Sequence, residues 1–167
     1  MTPQPLDPDC LFASLDRYEV DYVLIGGMAA VLHGSPTVTN DADIVPDAHP
    51  DNLSRLSAAL IDLDARIRSA DDPAGIQFDP HPALMASISM LDLTTRCGNL
   101  DLAFSPAGID DYATLSARSV EFDLDGTSVR VASLDDVIRS KETADRPRDR
   151  AVLPVLYALR EEIARRE

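Results

Sequence analysis

Apolar positions recur along this chain with two periods, and the switches between them mark out most of the elements. Leu11, Leu15 and Tyr18 fall at helical spacing, so 11–20 reads as a first helix with Asp9 as its cap. A loose start containing Pro3, Pro5 and Pro8 precedes it. The run from Asp21 to Ile25 is a short apolar strand. Gly26 and Gly27 break it and open a short helix, 28–33, which Gly34-Ser35-Pro36 ends. A second strand covers 39–45 and stops at Pro46. From Pro50 to Leu63 the leucines 53, 56, 60 and 63 mark one face of an amphipathic helix, and Asp51 sits where the helix dipole favours a negative charge.

The segment 70–82, rich in Pro and Asp, reads as a loop. Strands follow at 87–95 and 100–104, joined by the turn Arg96-Cys97-Gly98-Asn99. A helix is expected over 109–117. Strands 120–124 and 128–131 form a hairpin around Asp125-Gly126, a strong turn dipeptide. Ser133 caps a helix to about 144, with Asp136 completing a capping box in its Asp form. The last helix, 148–166, contains Pro154 as a kink or early break. This order predicts an α+β fold, a small mixed sheet with helices against it. The expected organisation is a single domain, 1–167, with a sheet-containing core to about 132 and C-terminal helices from about 133.

One pair of residues on the second strand carries chemistry. Asp41 and Asp43 are i and i+2, so they share a strand face, with Cα atoms roughly 6.5–7 Å apart. Carboxylates so placed can hold a divalent ion, with phosphate and water completing its shell. In an Asp-rich chain the plainer reading is a solvated polar strand face. The context favours chemistry: a glycine pair lies at a strand-to-helix junction, where close backbone approach and a helix N-terminus both suit phosphate. Asp-x-Asp follows that pair after thirteen residues.

Composition narrows the field. The net charge of −14 argues against a protein that grips nucleic acid over a broad face. No apolar run approaches the roughly 20 residues a bilayer requires. The N-terminal MTPQPLDPD has no basic stretch followed by an apolar one, so no signal peptide is expected. Cys10 and Cys97 do not make a disulfide framework, and a reducing cytoplasm is the expected compartment. Of 15 Lys+Arg, Lys141 is the one lysine. It lies in a local basic cluster with Arg139, Arg146, Arg148 and Arg150, which Glu142, Asp145 and Asp149 could in part neutralise.

The segment LIGGMAAVLHGSPTVTNDADIV resembles the signature of the nucleotidyltransferase superfamily, in its AbiEii/MenT-like, toxin-type branch. TTRCGNLDLAF looks like the strand bearing that family's third carboxylate, at Asp101, and VRVASLDDVIRSKETADRPRD looks like its C-terminal motif, with Lys141, Arg146, Pro147 and Asp149. The resemblance implies a polymerase-beta-like fold and transfer of a nucleoside monophosphate from an NTP to an acceptor hydroxyl. It implies Asp41, Asp43 and Asp101 as ligands of Mg²⁺ or Mn²⁺, with Asp101 also helping to activate the attacking hydroxyl. Gly26, Gly27, Thr39, Lys141, Arg146 and Asp149 would hold the nucleotide, Lys141 through its phosphates. Asp92, in a similar Leu-Asp-Leu setting, rivals Asp101, but Asp101 matches the family position and lies on the strand face opposite Leu100, Leu102 and Phe104. Thr39 supports the Asp strand through its hydroxyl. His33 reads as a helix-end residue.

The implied partners are an NTP, a tRNA 3′ end as acceptor, and a cognate antitoxin protein. Alternatives are a small-molecule, aminoglycoside-type nucleotidyltransferase, which the acidic charge suits, an antitoxin that adenylylates a partner toxin, and an inactive binding module. The chain departs from many relatives at Thr37, where they carry Arg, and at Asn40, where Lys or Arg is common. None of these departures removes a carboxylate.

Overall fold

A computed structural model describes residues 4–167. Pro3, part of the expected loose start, lies outside the described residues. The chain forms α1 (Pro8–Arg17), β1 (Tyr22–Ile25), α2 (Gly26–His33), β2 (Asp41–Pro46), α3 (Pro50–Asp62), β3 (Arg66–Ile67), α4 (Pro82–Ser87), β4 (Met90–Thr95), β5 (Gly98–Ala103), α5 (Tyr112–Arg118), β6 (Val120–Leu124), β7 (Thr127–Val131), α6 (Leu134–Ala144) and α7 (Pro147–Arg166). The expected α+β architecture is present. The strands build one seven-stranded sheet in the order β3-β4-β5-β2-β1-β7-β6. It is mixed: β2 runs parallel to β5 and β1 parallel to β7, while β1 and β2 are antiparallel.

The centre of the sheet follows from its residues. All of Tyr22, Val23, Leu24 and Ile25 are buried, as a strand covered on both faces requires. On β2, Ala42 and Ile44 are buried while Asp41 and Asp43 remain partly open, which is the alternation a half-covered strand produces. Leu53, Leu56, Ala59, Leu60 and Leu63 pack α3 into the same core. Asn52 ties this helix to the sheet. It is buried; its Oδ1 accepts from the Asp21 backbone N–H at 2.7 Å, and its Nδ2 donates to the carbonyls of Asp21 at 2.9 Å and Asp47 at 2.7 Å.

Several expected boundaries shift for local reasons. The first helix starts at Pro8, and Asp7 rather than Asp9 caps it by accepting from the Cys10 N–H. The loop over 70–82 is partly structured, because Ile76 bridges back to Ile67. The strand expected from residue 87 begins at Met90, since Pro82 opens a helix whose first turn is capped by the His81 ring. The helix expected from 109 starts at Tyr112, capped by Asp111. Ser133 caps α6 as expected, but Asp136 does not close the box. Its carboxylate turns inward to Arg118 and Arg139. Pro154 neither kinks the chain into two helices nor ends it: α7 is continuous from Pro147 to Arg166. Pro154 and Arg150, whose carbonyl loses its partner, are both exposed, so water can satisfy that carbonyl.

The two cysteines also correct the sequence reading, because Cys10 and Cys97 form a disulfide with Cα atoms 5.7 Å apart. They are 87 residues apart in sequence, and the tertiary fold brings them together. The Asp7 N–H donates to the Cys97 carbonyl at 2.8 Å, which docks the start of α1 on the β4–β5 turn. Among the described residues, no helix is long and apolar enough to cross a membrane.

Replacing Asn52 with Ala should take away the partners of part-buried backbone groups of both Asp21 and Asp47. The expected loss is about 2 kcal/mol, read as a lowered denaturant midpoint with unchanged slope. A midpoint equal to wild type would mean that these bonds contribute nothing net.

Candidate active site

The proposed ligands meet where β2 and β5 run side by side. Their parallel register sets Asp43 beside Asp101 and Asp41 beside Asn99. On the other flank of β2, Asp43 pairs with Ile25, the last residue of β1, and the chain then turns into α2 at Gly26. Gly26 has φ +73°, and a Cβ there would collide with the Asp43 carboxylate. Only glycine both permits that backbone conformation cheaply and leaves the carboxylate its space. Gly27 is under a milder constraint, since a Cβ there would lie 3.2 Å from Thr39 Oγ1. That hydroxyl donates to the Asp41 carbonyl at 3.1 Å, so Thr39 supports the strand as expected.

Asp43 and Asp101 are close enough to hydrogen bond to each other. Burial, and then the neighbouring Asp101 charge, hold the Asp43 carboxyl well above the usual carboxylate range. Asp101 is raised too, first by burial, with Arg68 opposing the shift. Charging both acids at once is costly unless a cation relieves them.

Arg68 supplies part of that relief. Its Nη2 donates to Asp101 Oδ1 at 2.6 Å and to the Leu93 carbonyl at 2.9 Å. Asp92, the rival for the third carboxylate, stands directly across from Asp101 on β4 and is exposed. Asp41 does not join the pair as closely: its Oδ1 accepts from Asn99 Nδ2 at 3.2 Å. Among the described residues, no group of three or more His, Cys, Asp or Glu side chains is arranged as a ready metal cage. The donor chemistry nevertheless fits a hard cation. Magnesium is commonly held by one or two carboxylates with substrate phosphates and water, and the oxygens of Asp43 and Asp101 converge with Asp41 two residues away on the same strand.

Lys141, on α6, approaches from the helical side. Its side chain is only 15% exposed, and Nζ lies 3.8 Å from Asp149 Oδ1. Burial pushes the ammonium below the usual lysine range, while Asp149 and Asp43 pull it back up. Asp149 is itself 1% exposed. It accepts from the Arg146 backbone N–H at 3.1 Å and from Arg146 Nε at 2.6 Å, so it caps α7 and anchors Lys141 at once. Burial works against its charge, but the Arg146 hydrogen bonds win and hold the carboxyl low. The basic cluster is therefore largely spent: Arg139 pairs with Asp136, Arg146 with Asp149 and Arg150 with Asp145. Among the described residues Arg148 makes no such pair. His33 is structural, with Nε2 donating to the Ala132 carbonyl at 2.8 Å and the ring set edge-on to Phe122.

Arg68 and Asn99 escaped the sequence reading. Nothing in the spacing around Arg68 marks it, because its partner lies two strands away in the sheet. Asn99 is legible only once β2 and β5 are known to be neighbours.

No family model matches the chain, and no curated protein matches it. Solved structures do. The lincosamide antibiotic adenylyltransferase LnuA, in its lincomycin-bound form, superposes with a TM-score of 0.60 at 17% identity, over 93% of this chain and 99% of that one. ANT(2'')-Ia in complex with adenylyl-2''-tobramycin gives 0.52 at 16% identity, over 93% and 94%. An antigenic nucleotidyltransferase-like protein from Paracoccidioides brasiliensis gives 0.51 at 20% identity, over 93% and 78%. The fold is thus the nucleotidyltransferase fold.

The contact between Gly26 and Asp43 can be isolated by comparing two alanine substitutions. Gly126 also has positive φ, +90°, but open space where a Cβ would go. Gly126→Ala should cost about 1 kcal/mol through backbone conformation alone. Gly26→Ala should cost at least roughly 1 kcal/mol more, because it adds a clash in a packed region. Equal losses in thermal unfolding would show that Asp43 does not need the space.

Proposed function

We propose that the chain is a metal-dependent nucleotidyltransferase that moves a nucleoside monophosphate from an NTP to an acceptor hydroxyl. The observation that carries this is the acid pair Asp43 and Asp101, set side by side by parallel strands and bordered by Gly26 at the start of α2. Two carboxylates so close have little purely structural use, since each raises the cost of ionising the other. The nucleotidyltransferase fold supports the reading independently.

In this reading Asp41, Asp43 and Asp101 hold Mg²⁺ or Mn²⁺. Bound there, a divalent ion supplies charge neutralisation for the triphosphate and the phosphoryl centre. Gly26 and Gly27 let the polyphosphate approach the α2 N-terminus, where the helix dipole favours it. Lys141 contributes a compact positive charge to the phosphates, and Asp149 with Arg146 keeps it aimed. The acceptor oxygen attacks the α-phosphorus and the bond to the bridging oxygen of the β-phosphate breaks. Pyrophosphate leaves, and Asp101 helps to withdraw the hydroxyl proton. Positioning and electrostatics do most of the work.

For the acceptor we favour a small hydroxylated molecule. The acidic net charge suits a cationic one, and the ion pairs that consume the basic cluster leave little surface for RNA. LnuA and ANT(2'')-Ia, both drug-associated, share the fold over nearly their whole length. The second reading is a toxin of a toxin–antitoxin pair acting on tRNA 3′ ends. Arg148 supports it, as a cation without an acidic partner among the described residues, near enough for its charge to act on the proposed phosphate lysine.

Incubation with Mg²⁺ and each α-labelled NTP should label an aminoglycoside or a lincosamide and leave total tRNA blank. Label on tRNA alone would overturn the small-molecule acceptor and favour the toxin. Asp43→Ala should abolish transfer. Lys141→Ala should lower it at least about tenfold, with Lys141→Arg restoring only part, because a guanidinium is longer and planar. Full turnover in Lys141→Ala would remove Lys141 from the nucleotide site.

A further inference from the structure

Arg68 is the charged group in this region that the proposed reaction leaves without a role. It follows directly on β3, and its backbone N–H donates to the Asp92 carbonyl at 2.9 Å, which fixes its Cα beside β4. One terminal nitrogen, Nη2, serves both the Asp101 carboxylate and the Leu93 carbonyl. Its Nε is fully buried and has no acceptor among the described residues. A guanidinium usually fills its fork with paired hydrogen bonds. This one gives up a buried donor in order to reach a single carboxylate oxygen. The pose is favourable because Asp101 needs a cation, with Asp43 on one flank and Asp92 on the other.

We propose that Arg68 is the resident counter-cation of the carboxylate pair, and that a divalent ion must displace it from Asp101 Oδ1 in order to bind. This rests on the metal-dependent reading above. The side chain is 32% exposed, against 16% for Asp101, so the guanidinium has a route to solvent that the carboxylate lacks. A divalent ion carries twice the charge of the guanidinium and meets oxygen ligands directly, so it wins at sufficient concentration. Until then Arg68 offsets part of the cost of charging Asp101 beside Asp43. The same guanidinium lowers the apparent affinity for metal, because part of the binding energy goes into expelling it. Metal loading therefore needs a higher ion concentration than the bare carboxylates would, and is met most readily when the ion arrives already bound to a triphosphate.

A direct phosphate contact by Arg68 is the competing role, and the two differ in sign when no nucleotide is present. Mn²⁺ binding should be measured by calorimetry, without NTP, on wild type, Arg68→Ala, Arg68→Lys and Asp43→Ala. Arg68→Ala should bind Mn²⁺ on the order of tenfold more tightly, since a neighbouring positive charge is gone. Arg68→Lys should stay near wild type, and Asp43→Ala should lose the site. Circular dichroism checks each fold, and Arg68→Gln, which keeps a donor without the charge, replaces the alanine variant if that one unfolds.

Equal or weaker Mn²⁺ binding in a folded Arg68→Ala or Arg68→Gln would overturn the counter-cation role. If wild type still transfers a nucleotide in that case, the enzymatic reading stands and this inference alone fails. If neither wild type nor the Arg68 variants bind Mn²⁺ and no NTP is turned over, both fall together.

Discussion

Two aspartates placed side by side in a parallel strand pair are the constraint on which this structure depends. Asp43 and Asp101 stand in register on β2 and β5, half-buried and close enough to share a proton. Ionising both at once is costly, because each charge opposes the other in a half-buried place. Three features of the chain answer that cost. Gly26 withholds a side chain so that Asp43 has room. Arg68 reaches across from the sheet edge to Asp101. Lys141 brings a buried ammonium whose charge acts on Asp43 from the helical side.

The rest of the fold makes that arrangement rigid enough to be useful. The fully buried β1 fixes β2 through an antiparallel ladder from Tyr22 to Ile25. Below Asp41 and Asp43, Ala42 and Ile44 sit in the core, so the acids are held by residues with no freedom to move. Asn52 locks the entry to β1 against the exit of β2. On the helical side, Asp149 spends its carboxylate on Arg146 and Lys141 rather than on solvent. A half-buried lysine without such an anchor would lose its charge or swing outward.

Much of this was legible in the sequence, and the limits have physical causes. The apolar run of β1, the Asp-Gly hairpin turn and the Ser133 cap depend on near neighbours, so local pattern was enough. The alternation that lifts Asp101 out of the core face beside Leu100 and Leu102 was also readable, as was the hydroxyl support from Thr39. What escaped depends on which strands become neighbours. Arg68 matters because β3 and β4 fold back alongside β5. Asp41 turns toward Asn99 because of the β2–β5 register. Cys10 and Cys97 meet only because α1 docks on the β4–β5 turn. Pro154 failed as a helix breaker because local propensity cannot tell an exposed carbonyl from a buried one.

The basic cluster shows how the same limit bears on function. Read along the chain, Arg139 to Arg150 is a positive patch in an acidic protein, and it suggests an RNA end. Folded, three of its arginines face carboxylates within the same helical region. In two of these pairs the carboxylate, Asp136 or Asp149, is buried, and all three pairs cancel part of the field that a phosphate backbone would feel. The positive charge that remains near the acids is mostly Lys141 and Arg68, both partly buried and both pointed at aspartates. That leaves a site whose cations are held by aspartates, in a chain of net charge −14. In the proposed reaction a nucleotide would bring its own charge and its own metal ion into such a site. For the proposed reaction, that balance of charge favours a compact, hydroxylated and preferably cationic acceptor over a polynucleotide.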